Sequence, residues 1–134
     1  MLKIESKIGT VRRSSMELYE LLSNFENFIS YIPQDQIKDL LVEKDRCSFT
    51  VEGQKMEIII IDKEPQNFIK FGSGELSPVK FFFWIQMKEV EPYVTKIKLT
   101  IHLDIPLIAQ PFVKGKIEKA LNEMMERISS MGNN

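Results

Sequence analysis

The sequence predicts an α+β domain in which a long, curved antiparallel sheet wraps one long helix. Three observations carry that prediction. Between Gln36 and Pro106 apolar and polar residues alternate with period two, interrupted by regularly spaced turn signals. From Ala109 to Met131 an apolar stripe recurs at spacings of three and four, as on an amphipathic helix. The connections between strand candidates are too short for parallel crossovers, so sequential strands pair antiparallel. A sheet with one apolar face and a helix with one apolar stripe bury both surfaces by packing on each other.

The chain opens with a strand whose Leu2, Ile4 and Ile8 share one face, with Lys3, Glu5 and Lys7 on the other. Ser14 and Glu17 have the spacing of a capping box and start a helix with the stripe Leu18, Leu21, Leu22, Phe25. Ser23 and Glu26 repeat the spacing and start a second short helix, which carries Phe28, Ile29 and Ile32 and ends at Pro33. Six strands follow: Ile37–Glu43, Cys47–Glu52, Lys55–Lys63, Phe68–Gly74, Val79–Val90 and Tyr93–Ile105. With the opening strand the sheet has about seven. The last helix places Val113, Ile117, Ala120, Leu121, Met124, Ile128 and Met131 on its stripe, accepts Pro111 in its first turn, and holds Gly115 on the opposite side.

Length and composition bound the function. The 134 residues form a single domain, 1–134, with 43% hydrophobic and 28% charged residues. A net charge of −1 with well-mixed signs excludes the basic footprint of a nucleic-acid binder. One cysteine, Cys47, excludes an internal disulfide and fits a reducing compartment. The apolar runs Met56–Ile61 and Val79–Met87 are too short to span a bilayer, and MLKIESKIG lacks the apolar block of a signal peptide. A cytoplasmic protein without stable membrane insertion is expected.

The last two strands set the inside of the sheet. A tight connection at Glu91-Pro92 pairs Phe81 with Leu103, Phe83 with Ile101, Ile85 with Leu99 and Met87 with Ile97, all apolar and on one face. The other face pairs Phe82 with His102 and Trp84 with Thr100, and then becomes charged. The same parity puts Phe49, Val51, Ile58, Ile60, Ile69 and Phe71 inside.

Element order and lengths, together with the phrases DKEPQNFIKFGSG and PLIAQPFVKGKIEKAL, resemble the helix-grip superfamily of START-related and birch-allergen-like domains, which includes polyketide cyclases and lipid-transfer proteins. The resemblance covers essentially the whole chain and carries no catalytic signature. It implies a space between sheet and helix for an apolar small molecule. Plant members have a glycine-rich loop between the second and third strands. Here that loop is Glu43-Lys44-Asp45-Arg46, so nothing of it carries over.

On this reading the protein binds, sequesters or transports a hydrophobic small molecule such as a lipid, quinone or polyketide-like compound. Its lining is Phe28, Phe71, Phe83, Ile85, Met87, Leu99, Ile101, Ile117, Leu121 and Met124, and no cofactor is implied. Side chains filling the whole space are the plainer alternative. One histidine and one cysteine make neither a metal cluster nor a nucleophilic triad: His102 faces outward and Cys47 has the parity of a buried, inert thiol. The carboxyls with inward parity at strand ends are Glu89 and Asp62, which a cyclase or dehydratase would use as general base; solvated strand-end carboxylates are the ordinary reading. A ligand-free interaction module is the third alternative. Phe82, Trp84 and Phe68 are expected to cluster outside, where they either mediate a homodimer or are shielded by lysine stems in a monomer.

Overall fold

The computed structural model describes residues 1–133 apart from 33, 34, 36 and 52, with the backbone alone at 132 and 133. The expected ends at Pro33 and Glu52 lie outside the described residues. Two strands open the chain, β1 (Leu2–Glu5) and β2 (Gly9–Val11), followed by helices α1 (Ser15–Leu22) and α2 (Phe25–Phe28) and a 3-10 turn, Ile29–Tyr31. Six strands come next: β3 (Ile37–Val42), β4 (Arg46–Val51), β5 (Gln54–Glu64), β6 (Phe68–Ser73), β7 (Lys80–Glu91) and β8 (Val94–Asp104). Helix α3 (Gln110–Ser129) ends in a second 3-10 turn, Ser130–Asn133. The eight strands form one antiparallel sheet ordered β1-β8-β7-β6-β5-β4-β3, with β2 also on β8.

The β7–β8 ladder has the expected register from Lys80↔Asp104 to Glu89↔Thr95. Phe81, Phe83, Ile85 and Met87 stand opposite Leu103, Ile101, Leu99 and Ile97. The pairing shifts only beyond Glu89, where Glu91 meets Val94. Tyr93 sits in the turn with φ of 62°, a left-handed conformation, instead of starting the strand.

The opening strand is the first correction. Its pairing to β8 changes by one residue between Glu5↔Thr100 and Gly9↔Ile97. Ser6 makes the break possible: its N–H donates to the Leu99 carbonyl at 2.8 Å, and its Oγ accepts the Leu99 N–H at 2.9 Å. Both ladder groups of Leu99 are satisfied while the chain takes in an extra residue, which reverses side-chain parity. Leu2 and Ile4 point in before it, Val11 points in after it, and Ile8 is 67% exposed instead of sharing their face.

Ser14 caps α1 as expected, accepting the Glu17 N–H at 3.1 Å. The second cap is Asn24, not Ser23. Helix α1 runs to Leu22 and takes the Ser23 N–H as a donor to Tyr19, so Ser23 closes one helix and cannot open the next. Asn24, extended at φ −110° and ψ 119°, accepts the Glu26 N–H at 2.9 Å.

The concave face is covered in two portions: α1 lies on β6 and β7, and α3 lies along β1, β2 and β8. Phe25 and Phe28 enter the core beneath the short helices, with Phe28 stacked on Phe71 at a centroid separation of 4.9 Å. Polar contacts tie down the second half of α3 and the 3-10 turn that follows it. Asn122 Oδ1 accepts the Lys7 N–H at 3.1 Å, the Arg13 guanidinium donates to the Met131 carbonyl at 3.1 Å, and Arg127 donates to the Ile32 carbonyl at 3.2 Å.

Two glycines give opposite predictions. A methyl at Gly9 would stand 2.3 Å from Met125 Sδ and 2.7 Å from Ser129 Oγ, so Gly9→Ala should lower unfolding stability by about 1–3 kcal/mol. Denaturant melts of the single variants and of Gly9→Ala combined with Met125→Ala should show coupling between the sites. A methyl at Gly115 would meet nothing within 4 Å, and Gly115→Ala should raise stability by about 0.5–1 kcal/mol.

Candidate functional site

The inner face of the sheet divides into a sealed part and an accessible part. Phe71, Ile69, Ile85, Leu99 and Phe28 are buried and form the floor, with Phe25, Phe71 and Phe83 in ring contact. Val51, Met56, Ile58, Ile60, Ile101, Leu103 and Ile105 pack against that core but remain half-buried. Helix α3 divides in the same way. Leu121, Met124, Met125 and Ile128 are buried, whereas Val113 and Ile117 on the preceding turns are half-buried. Of the ten expected lining residues, Phe28, Phe71, Phe83, Ile85, Met87, Leu99, Leu121 and Met124 belong to the core cluster, and Ile101 and Ile117 pack against it. Met56, directly opposite Phe49, also points in, and its period-two parity was the available signal.

The two carboxyls are not brought together. Asp62 is a correction. The β5–β6 pairing shifts between Ile60↔Phe71 and Asp62↔Lys70, so the extra residue Ile61 reverses parity and turns Asp62 to the outer face beside Lys70. Gly72 accommodates the bulge: a methyl there would be 3.1 Å from Ile61 Cδ1. Glu89 keeps inward parity, but its Oε1 accepts the Ser15 N–H at 2.6 Å and the Ser15 hydroxyl at 3.1 Å. A carboxylate at the first turn of α1 satisfies an otherwise unpaired amide and complements the helix dipole. It borders an open surface depression of about 510 Å³ with Ser14, Ser15, Met16, Gln66, Val90, Glu91 and Pro92.

Cys47 is buried on the inner face opposite Ile58, and burial pushes its thiol up to about 11. The neutral thiol adds to the apolar surroundings. Among the described residues no group of His, Cys, Asp and Glu could hold a metal ion.

On the outer face Trp84 meets His102 edge-on at 4.6 Å and lies 6.1 Å from Phe82. Phe68 is a further correction, since β6 pairs Phe68 with Gln86 and places Lys70 beside Trp84. The Lys70 ammonium sits over both rings, 4.7 Å from the Phe82 centroid and 5.0 Å from that of Trp84. The aromatic cluster is therefore half-buried beneath a lysine. Partial burial, with Lys3 and Lys70 nearby, lowers the His102 pKa below the usual value; Glu5 opposes weakly.

An antiparallel sheet curved over a C-terminal helix, with short helices after the first strands, defines the fold. Over 98% of this chain and 97% of the other, it is similar to a START superfamily protein from Mycobacterium smegmatis, at TM-score 0.73 and 15% identity. The chain has a START-like helix-grip fold. It is also similar to the protein XoxI from Bacillus cereus, at TM-score 0.77 and 10% identity over 100% and 97% of the two chains. A Bacillus thuringiensis protein matches at TM-score 0.75 and 9% identity, covering 99% and 100%. No protein-family model matches the sequence, and no curated protein does. Among the described residues of this helix grip, no helix is long and apolar enough to cross a membrane.

The carboxylate clamp and the outer histidine are both testable. Glu89→Ala should cost about 1–2 kcal/mol, read by denaturant melts, because it leaves the first amide of α1 without its charged acceptor. Trp84 fluorescence should follow the protonation of His102 with a midpoint below about 6.5. Because the folded pKa is depressed, the histidine costs nothing above its unfolded value and destabilises as pH falls from there through the folded value. His102→Gln should flatten both the fluorescence change and that part of the stability profile.

Proposed function

We propose that the protein sequesters or carries a hydrophobic small molecule between the inner face of the sheet and the first half of α3. The observation that carries this reading is the incomplete burial of inward-facing apolar side chains on both sides of that space: Val51, Ile58, Ile60 and Ile101 on the sheet, Val113 and Ile117 on the helix. A core packed for stability alone would bury them, since each large aliphatic side chain removed from water contributes about 1.5–3 kcal/mol. A START-like fold adds support, and the site would act through shape and apolar burial. Phe71, Phe83, Ile85, Leu99, Leu121 and Met124 would form the apolar floor, with Phe28 and the short helices closing one end. The ligand is a lipid, quinone or polyketide-like molecule, held by burial and not by charge, since the inner positions named are apolar.

Glu89 is engaged with Ser15 and Asp62 faces outward, so neither supplies this space with a general base. Binding is therefore favoured over cyclase or dehydratase chemistry.

Native mass spectrometry of protein gently purified from its own cells should show a retained apolar ligand. N-phenyl-1-naphthylamine should be taken up by the delipidated protein with a rise in emission, and Ile117→Trp should weaken uptake about tenfold by filling the space. Glu89→Gln should leave uptake unchanged. Wild-type protein that neither retains a ligand nor takes up the probe would refute the reading.

A further inference from the structure

The residues that leave the sheet for α3 form an exposed apolar tip. Leu107 is 82% exposed, Ile108 83% and Phe112 77%. The tip is nonetheless held in shape. The Ala109 N–H donates to the Pro106 carbonyl at 2.9 Å and the Phe112 N–H to the Ala109 carbonyl at 3.1 Å; the Gln110 side chain reaches the Ile105 carbonyl at 3.3 Å. Phe112 precedes Val113 and so lies off the stripe that faces the sheet. Strand register places Met1 and the β6–β7 loop at the same end, because Leu2 and Phe81 both stand opposite Leu103. That loop is also fixed, with Ser77 Oγ accepting the Glu57 N–H at 2.7 Å and donating to its carbonyl at 2.9 Å, and it presents Leu76 half to solvent.

Charge accompanies the tip. Between Phe112 and Lys119 the helix carries exposed Lys114, Lys116 and Lys119 against one acid, Glu118, on a chain whose net charge is −1. Glu75, Lys80 and Asp104 stand farther round the same end. Apolar side chains this exposed project from the surface, so a protein partner would need a matching hole for each. A fluid lipid interface accepts them without such holes, and lysines a turn or two away lie within reach of anionic headgroups.

We propose that this end docks peripherally on anionic bilayers, with Leu107, Ile108 and Phe112 entering the acyl boundary and Lys114 and Lys119 meeting the headgroups. Among the described residues no helix is long and apolar enough to cross the bilayer, so the contact is peripheral. Docking here would place the open side of α3 beside the membrane, but it stands independently of what occupies the interior.

Sedimentation with vesicles of phosphatidylcholine alone, or mixed with phosphatidylglycerol, tests the proposal on the whole chain. Wild type should bind the mixed vesicles and lose most of that binding at high salt. Ile108→Ser and Phe112→Ser should each weaken partitioning about tenfold, and the Leu107→Ser, Ile108→Ser pair about a hundredfold. Lys114→Gln with Lys119→Gln should remove the preference for anionic vesicles. All these positions are exposed, so melting temperatures should stay near wild type. The proposal fails if wild type stays in the supernatant or if the serine variants bind as wild type does. It also fails if wild type self-associates without lipid and Ile108→Ser abolishes that association, which would make the tip an interface between copies. Vesicle binding and probe uptake are separate readouts, so either can fail alone.

Discussion

The ladder between β7 and β8 is the constraint on which the rest of the structure depends. It pairs residues without a shift from Lys80↔Asp104 to Glu89↔Thr95. Its inner face is apolar at every pair from Phe81↔Leu103 to Met87↔Ile97. A slip of one residue would turn that whole set to solvent, so the register is strongly specified. β8 then carries β1 and β2 on its other edge, and β7 carries β6, which places Phe71 beside Phe83. The short helices can dock only because that pair offers Phe25 and Phe28 an aromatic floor.

Bulges decide what the regular ladder leaves open. At Ser6 the extra residue takes Ile8 out of the core and brings Gly9 under Met125. At Ile61 it takes Asp62 out of the interior and sets it beside Lys70. Each costs a ladder position and each has a local compensation: the Ser6 hydroxyl satisfies the Leu99 amide, and Gly72 makes room for Ile61. Their joint consequence is chemical. The interior keeps apolar side chains, a neutral Cys47 thiol and Thr95, whose hydroxyl donates to the Arg13 carbonyl, while Glu89 at its edge is spent on the start of α1. Such a space recognises a ligand by shape and by the removal of apolar surface from water.

Helix α3 is held unevenly, and function follows that asymmetry. Leu121, Met124, Met125 and Ile128 are buried where Lys7 and Ile32 meet the second half of the helix and Arg13 meets the turn after it. Toward Gln110 the stripe thins to half-buried Val113 and Ile117, and the exposed tip begins. Stability is concentrated at one end and accessible apolar surface at the other. An element anchored at one end is suited to admit a guest at the other without loss of the fold.

Period-two alternation from Lys55 onward, the Glu91-Pro92 turn and the three-four stripe of α3 are enough to read the sequential pairing of β3 to β8, the β7–β8 register and the helix grip from the sequence, but not the place of β1 and β2 on β8. These are local patterns, and each position's face follows from its neighbours along the chain. The same patterns pointed to eight core residues of the candidate site and to an outward His102. Tertiary structure alone decided the rest. A bulge adds one residue with no change in alternation that a linear reading can detect, so Asp62 and Ile8 read as inward from the sequence and face outward in the fold. Asn24 replaced Ser23 as a cap because α1 had already used the Ser23 amide. Lys70, and not Phe68, came to lie on Trp84 because β6 meets β7 in a register that no turn residue announces. How far the sheet covers α3 depends on curvature summed over all the strands, and no single segment of sequence carries that quantity.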